Sequence, residues 1–313
     1  MSSSHLVDPL ESTWPRPMVR PLPVPDDSPA LSVLAHGLTD KGRERSSNED
    51  RFLIASPASA LWMARAGAHA SDLGYSEIAG DVFAVADGIG GHAGGAQASA
   101  LAIETMGTFL VSTLKWVFAI GGPESLGVEM LDQLEAVLRW ADSRVREEAA
   151  RNPALREMGS TLTMTYRYGA FLHVAHVGDS RCYLLRDGAL HQITHDHTVV
   201  AEMVRHGILA PELAAHHAAR HVITNALGGI TPGLHAEVHR VRIRPHDVLL
   251  LCTDGLTEMV TDDEIRAVLE DAATPRSACE DLVMLANDHG GYDNITALVA
   301  RYEPDPGPPP LAS

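Results

Sequence analysis

What most constrains this chain is how its short apolar runs end. Asp81-Val-Phe-Ala-Val-Ala86 stops at Asp87-Gly88, Phe171–Val177 stops at Gly178-Asp179-Ser180, and Val248-Leu-Leu-Leu-Cys252 stops at Thr253-Asp254-Gly255. Arg45-Ser-Ser-Asn-Glu49-Asp50 stands before Phe52-Leu-Ile54, and Gly290-Gly-Tyr-Asp293-Asn294 stands at the head of a closing strand expected over Tyr292–Arg301. A single Asp-Gly is an ordinary turn signal, because the short acidic side chain hydrogen-bonds its own backbone and glycine accepts positive φ. Five such places, each beside a segment apolar enough to be buried, ask for a fold that gathers strand ends at one point.

Turn signals then set the topology. Gly178-Asp179-Ser180, Asp187-Gly188 and Arg244-Pro245-His246-Asp247 each separate two strand-length runs and are expected to turn hairpins. They would join Phe171–Val177 to Arg181–Leu185, that strand to Ala189–Thr194, and Val238–Ile243 to Val248–Cys252. Hairpins in series imply antiparallel sheet rather than βαβ crossovers. Helical periodicity marks Ala96 to about Trp116 and Gly127 to about Ala150, the latter carrying Met130, Leu131, Leu134, Val137 and Leu138. Asp262–Asp271 and Pro275–His289 read as shorter helices, with Asp262 suited to an N-cap and Pro275 to a first turn. Strand pairs interleaved with helix pairs predict a layered α+β architecture.

Prolines partition the chain. Residues 1–30 hold 7 of the 19 prolines and residues 304–313 hold 5, so both ends are expected to be Pro-rich tails, the first of them disordered, around one domain over 31–303. The hydrophobic share of 45 % is enough for a sizeable core. A formal charge of −17 argues against nucleic acid or anionic lipid as a partner, since both need a basic face. No run of about 18 uncharged apolar residues offers a membrane span. The N-terminus lacks the basic start and apolar run of a secretory signal. Cys182, Cys252 and Cys279 stand far apart, which suggests buried free thiols and a cytoplasmic location.

Convergent carboxylates repel one another unless they are protonated or neutralised by metal. Oxygen ligands without cysteine or histidine at ligand spacing favour magnesium or manganese over zinc. An arginine beside such a cluster supplies a planar fork for a phosphate ester. Hard cations plus an arginine describe metal-assisted phosphate-ester hydrolysis, with a metal-bound hydroxide attacking phosphorus in line.

Taken in order, Thr39-Asp-x-Gly-x-x-Arg45-x-x-Asn-Glu-Asp50, Ala86-Asp-Gly-x-Gly-Gly-His92, Met158-Gly-Ser-Thr-Leu162, His176-Val-Gly-Asp-Ser-Arg181, Cys252-Thr-Asp-Gly-Leu256 and Gly291-x-Asp-Asn294 resemble the motif set of the metal-dependent protein phosphatases. These are the type 2C serine/threonine phosphatases, and the likeness is to their compact bacterial members, from about His36 to about Tyr302. The resemblance implies a four-layer αββα sandwich, two central antiparallel sheets flanked by antiparallel helices, with two or three Mn2+ or Mg2+ ions in a cleft at one edge. Carried over, Asp87 would bridge two metals through its carboxylate, the Gly88 carbonyl would bind one, and Asp254 and Asp293 would hold the other. Asp179 with Asp254 would hold a third metal. Glu49 and Asp50 would act mostly through metal-bound waters, Asn294 would orient its neighbours, and Arg45 would bind the substrate phosphate. Met158-Gly159-Ser160-Thr161 would pack beneath the site. The implied activity is removal of phosphate from phosphoserine and phosphothreonine in proteins, by attack of a metal-bridging hydroxide, opposing a bacterial Ser/Thr protein kinase and acting as a monomer.

One position departs from several eukaryotic relatives, which carry histidine directly after Asp-Gly as a proton donor; here it is Ile89. His92 or a water on a third metal could replace it, and a packing role for His92 is the plainer reading. A flap is implied over about 195–227, where Thr198–Arg205 reads as a short helix. Seven of the 17 histidines fall between His191 and His221. His195, His197, His206, His216, His217 and His221 offer zinc ligands, but no pair has i,i+4 spacing inside a clear helix, so solvated or cleft-rim histidines are expected. Protonating the flap below about pH 6.5 would then strengthen phosphoprotein binding. The stretch Ala55–Gly80 is expected to be a surface loop, longer than relatives usually have. The rival readings are a catalytically silent phosphatase-like module that binds phosphoproteins or regulates a partner, and a non-enzymatic histidine-rich metal buffer.

Overall fold

Two five-stranded sheets, antiparallel at every pairing, form the middle of the structure. A computed structural model describes residues 31–56, 80–90, 93–120, 126–214, 217–229 and 233–305. The tail 1–30, most of the 55–80 insertion, His92, His216 and residues 306–313 lie outside the described residues. The first sheet runs in the order β1 (Leu31–Asp40), β13 (Ile295–Pro304), β12 (Val248–Cys252), β8 (Arg181–Arg186) and β9 (Ala189–Gln192). The second runs β11 (Glu237–Arg242), β7 (Phe171–Val177), β6 (Leu162–Tyr168), β3 (Gly80–Ala86) and β2 (Arg51–Ala55). A short sheet of β10 (Leu227–Gly228), β5 (Gly159–Ser160) and β4 (Gly88–Ile89) continues from the end of β3.

Strand alternation sorts the apolar runs into three cores. On β3, Phe83 and Val85 point inward between the sheets with Leu172, Val174, Leu184, Leu249, Leu251 and Leu298. Val82, Ala84 and Ala86 point the other way, under α1 (Ala93–Ile120) and α2 (Leu126–Arg151). Leu134, Val137, Leu138, Ala141 and Val145 of α2 keep the helical period and pack there with Ala98, Ala102 and Met106 of α1. Behind the first sheet, Tyr183, Val248, Leu250, Cys252, Ala297 and Val299 meet α6 (Asp262–Asp271) and α7 (Pro275–Asp288). Each large apolar side chain so buried contributes roughly 1.5–3 kcal/mol. The layers are helix, sheet, sheet, helix, as the motif set implies.

Caps set the helix bounds. Thr261, not Asp262, is the N-cap of α6, in a capping box with Glu264. Thr274 caps α7, leaving Pro275 at the first turn, where it needs no hydrogen-bond donor. The flap carries α3 (Val199–Arg205), capped by Thr198, and α4 (Pro211–Ala214). A last short helix, α5 (Asp254–Thr257), follows β12.

Two of the three expected hairpins are corrected. Of the three, Asp187-Gly188 alone turns a hairpin, joining β8 to β9 with both residues at positive φ, 51° and 75°. Gly178-Asp179-Ser180 and Arg244–Asp247 carry the chain from one sheet to the other: β7 pairs β6 and β11, whereas β8 pairs β12 and β9. A strand buried on both faces has the same apolar sequence whether the next strand lies beside it or across the core, so turn composition alone does not separate the two. The closing strand starts at Ile295 and runs to Pro304, which pairs with Leu31 and so belongs to the sheet.

Candidate active site

The sheet-to-sheet crossing is what exposes Asp179 in a cleft rather than on a hairpin tip. Gly178 has φ of 109°, and a Cβ there would lie 2.5 Å from Thr161 Cγ2, so glycine is needed for the corner. Thr161 Oγ1 in turn hydrogen-bonds Ser180 Oγ at 2.7 Å and accepts from the Asp87 backbone N–H at 2.9 Å. The Asp87 carbonyl accepts from Ser160 Oγ at 2.8 Å and from the Thr161 N–H at 2.9 Å. Ser160 and Thr161 thus pin the ends of β3 and β7 from beneath, a packing role.

Gly88 follows, at a point where backbone approaches backbone: a Cβ there would sit 2.2 Å from the Gly95 carbonyl oxygen in the first turn of α1. Glu49 reaches the same place from the strand-end loop before β2; its carbonyl accepts from Ser99 Oγ of α1 at 2.5 Å. Asp50 is buried, and its Oδ2 accepts from Thr253 Oγ1 at 2.8 Å and Thr296 Oγ1 at 2.6 Å. Asn294 ties its own loop to the 41–50 loop at three points: its Oδ1 accepts from the Glu49 N–H at 2.8 Å, and its Nδ2 donates to the carbonyls of Lys41 and Ser47, both at 2.9 Å. Arg45 Nη2 donates to Asp293 Oδ2 at 2.5 Å, with its side chain half exposed.

Six acidic residues from five segments therefore converge, and Arg45, Glu49, Asp87, Gly88, Asp179, Asp254, Asp293 and Asn294 all line one cleft of about 970 Å³. Burial is the largest cause pushing Asp87 and Asp254 well above the usual carboxylate range, reinforced for Asp87 by Asp50, Asp254, Asp179 and Asp293 and for Asp254 by Asp179, Glu258, Asp293 and Asp50. Burial raises Asp179 to about 7, with Asp196 adding to it. Burial also raises Asp50 to about 6, against the opposing hydrogen bonds of Thr296 and Thr253. Asp50 Oδ1, Asp179 Oδ1 and Asp254 Oδ1 are buried without a hydrogen-bond partner. Acceptor atoms left bare in a group of mutually repelling carboxylates fit hard divalent cations, which prefer all-oxygen ligands.

Two neighbours were not legible as site residues, and a third stood among several histidines expected at the cleft rim. Arg181 holds Asp196 of the flap bidentately, at 2.8 and 2.7 Å, on the cleft wall. His221 comes from the flap to the cleft and pairs with Glu258 beside Asp254. Tyr292 lines the mouth and is 61 % exposed. The Asp179–Arg181 spacing hinted at the first, His221 reaches the cleft by the fold of the flap, and nothing in the sequence marked Tyr292. Ile89 lines the cleft at the departure noted in the sequence.

Comparison with known proteins places this geometry. A family model described as protein phosphatase 2C matches residues 67–288. The serine/threonine protein phosphatase PstP of Mycobacterium tuberculosis is 38 % identical over 221 residues, covering 70 % of this chain and 40 % of PstP. The chain thus spans less than half of that relative. Protein phosphatase PhpP of Streptococcus pneumoniae is 31 % identical over 275 residues, covering 86 % of this chain and 97 % of PhpP. The structure is similar to the crystal structure of the PstP catalytic domain in complex with 2 manganese ions, with a TM-score of 0.69 and 31 % identity over 88 % of this chain and 100 % of that one.

Proposed function

This chain belongs to the protein phosphatase 2C family of metal-dependent serine/threonine protein phosphatases, and on that premise we propose that it removes phosphate from phosphoserine and phosphothreonine in proteins. The observation that carries the reading is the convergence of Asp87, Asp179, Asp254 and Asp293 in one cleft with Asp50 buried close by, three carboxylate oxygens of this set being buried and bare. Asp87, the Gly88 carbonyl, Asp254 and Asp293 are the residues that would hold two Mn2+ or Mg2+ ions, and Asp179 with Asp254 those that would hold a third. Bound there, the ions would neutralise the carboxylates, activate a water and offset the charge of the phosphate. Glu49 and Asp50 stand behind this set, and Asn294 fixes both Glu49 and the Asp293 loop. Arg45 is tied to Asp293 in this structure. Were Asp293 committed to a cation, the Arg45 guanidinium would be free to fork onto the substrate phosphate.

Every carboxylate of the motif set is in place, which leaves the silent-module reading without support. A monomer with its catalytic domain over about 31–303, cytoplasmic and opposed to a Ser/Thr kinase acting on the same substrates, completes the proposal. No helix among the described residues is long and apolar enough to cross a membrane. The test is hydrolysis of a phosphothreonine peptide with added Mn2+. Activity is expected to vanish with EDTA and to fall at least about 1,000-fold in Asp254→Asn; activity surviving both overturns the proposal.

A further inference from the structure

We propose that His195, Glu237 and His239 form a second, zinc-binding site that fastens the root of the flap to the edge of the second sheet. Glu237 and His239 are two apart on the edge strand β11 and so share a face. His195 opens the flap. Its Nδ1 lies 3.0 Å from Glu237 Oε1, and His239 Nε2 lies 2.5 Å from the same oxygen. The three ligand atoms all fall within 4.8 Å of one another. Tetrahedral ligands around zinc, with bonds of about 2.0–2.2 Å, stand about 3.3 Å apart, a spacing that side-chain rotation at this surface supplies.

Hydrogen bonding decides which of the neighbouring histidines can ligate. His197 Nδ1 accepts from the Gly178 N–H at 3.1 Å and from Asn225 Nδ2 at 3.1 Å, so its proton sits on Nε2 and points at Glu237 Oε2, 3.3 Å away. His176 is held through both nitrogens, by Thr163 Oγ1 at 2.8 Å and the His195 carbonyl at 3.1 Å. Asp196 is taken bidentately by Arg181. That leaves two imidazoles and Glu237 Oε1, which also accepts the His195 backbone N–H at 3.1 Å, with the other carboxylate oxygen oriented by the His197 N–H. This is the arrangement of a two-histidine, one-carboxylate zinc site with its outer partner in place. None of the three ligands lines the carboxylate cleft. The site is therefore separate from the one read above, and stands whether or not that reading holds.

Zinc here would join His195 to β11, and through His197 to Gly178. The experiment titrates the full chain with Zn2+ against a chromophoric chelator, in saturating Mg2+ so that the carboxylate cleft is filled. One zinc per chain is expected in the wild type and in Asp254→Asn, with affinity about 100-fold or more weaker in His195→Ala/His239→Ala and in Glu237→Gln. Co2+ should give visible tetrahedral absorption in the wild type that the double variant lacks. Zinc should also slow proteolytic cleavage within 199–214 in the wild type only. Equal zinc affinity in the wild type and the double variant overturns the proposal, as does zinc uptake lost in Asp254→Asn but kept in the double variant. Zinc bound without any change in cleavage overturns the fastening. The single variant His195→Ala, at a side chain 68 % exposed, repeats the test without disturbing the core.

Discussion

Gly88→Ala measures how tightly the catalytic turn is built. A methyl group there would stand 2.2 Å from the carbonyl oxygen and 2.3 Å from the carbonyl carbon of Gly95. Non-bonded carbon contacts settle near 3.5 Å, so the turn and the start of α1 must part by about 1 Å. Both obstructing atoms are backbone, and no rotamer relieves them. The turn carries the Asp87 carboxylate and the Gly88 carbonyl, while α1 holds Glu49 through Ser99; the displacement therefore falls on the reacting geometry. A misplacement of that size costs about 100-fold in rate, and overpacking of this kind costs about 1–3 kcal/mol, or roughly 2–12 °C in Tm for a domain of this size. The assay compares kcat/KM for a phosphothreonine peptide in saturating Mn2+ at 25 °C with a thermal melt of the same preparation. Activity should fall about 100-fold while the protein remains folded. Activity within threefold of the wild type would show that the turn tolerates the shift and that the argument from close approach is wrong.

Asn294→Ala removes the bonds to Glu49, Lys41 and Ser47 and should raise the Mn2+ concentration for half-activation about 10–100-fold, read from activity against Mn2+. Thr296→Val leaves Asp50 Oδ2 with a single donor, Thr253, and should destabilise the fold by about 1.5–3 kcal/mol in urea unfolding. His173, buried on β7, has its pKa lowered to about 4, chiefly by burial. A histidine kept neutral in the fold contributes stability that is present above the unfolded value of 6.5 and lost as pH falls through 6.5 toward 4. His173→Leu should therefore flatten the pH dependence between 7 and 4 by about 3 kcal/mol; an unchanged slope by urea titration at several pH values would count against it.

Much of the fold and most of the site were legible because both rest on local chemistry. A run such as Val248–Cys252 is a strand by composition, and the carboxylate after it is at a strand end wherever that strand lies. The partners of each strand were not legible. Gly178-Asp179-Ser180 reads as a hairpin turn, yet it crosses between sheets, because turn residues respond to local φ and ψ and the two outcomes share them. β1 escaped notice: Gly37 interrupts it, and it owes its place to pairing with β13 along its whole length and to Phe52 packing over the glycine. In the histidine-rich flap the helix after Thr198 was legible and the grouping of its histidines was not. Its ligand-like geometry depends on His239, some forty residues away and read only as part of a strand, and on Glu237, just outside the strand as it was read.

The placement of β13 has a consequence for synthesis. The strand that enters the first sheet last in chain order sits inside it, between β1 and β12, and brings Asp293 and Asn294 to the cleft at its head. Until β13 has left the ribosome, β1 has no strand partner and the first sheet lacks an interior strand, so that sheet cannot close. Such late, non-local closure is slow and leaves strand edges open to wrong partners. A chain arrested before residue 293 would lack both Asp293 and Asn294 at the cleft.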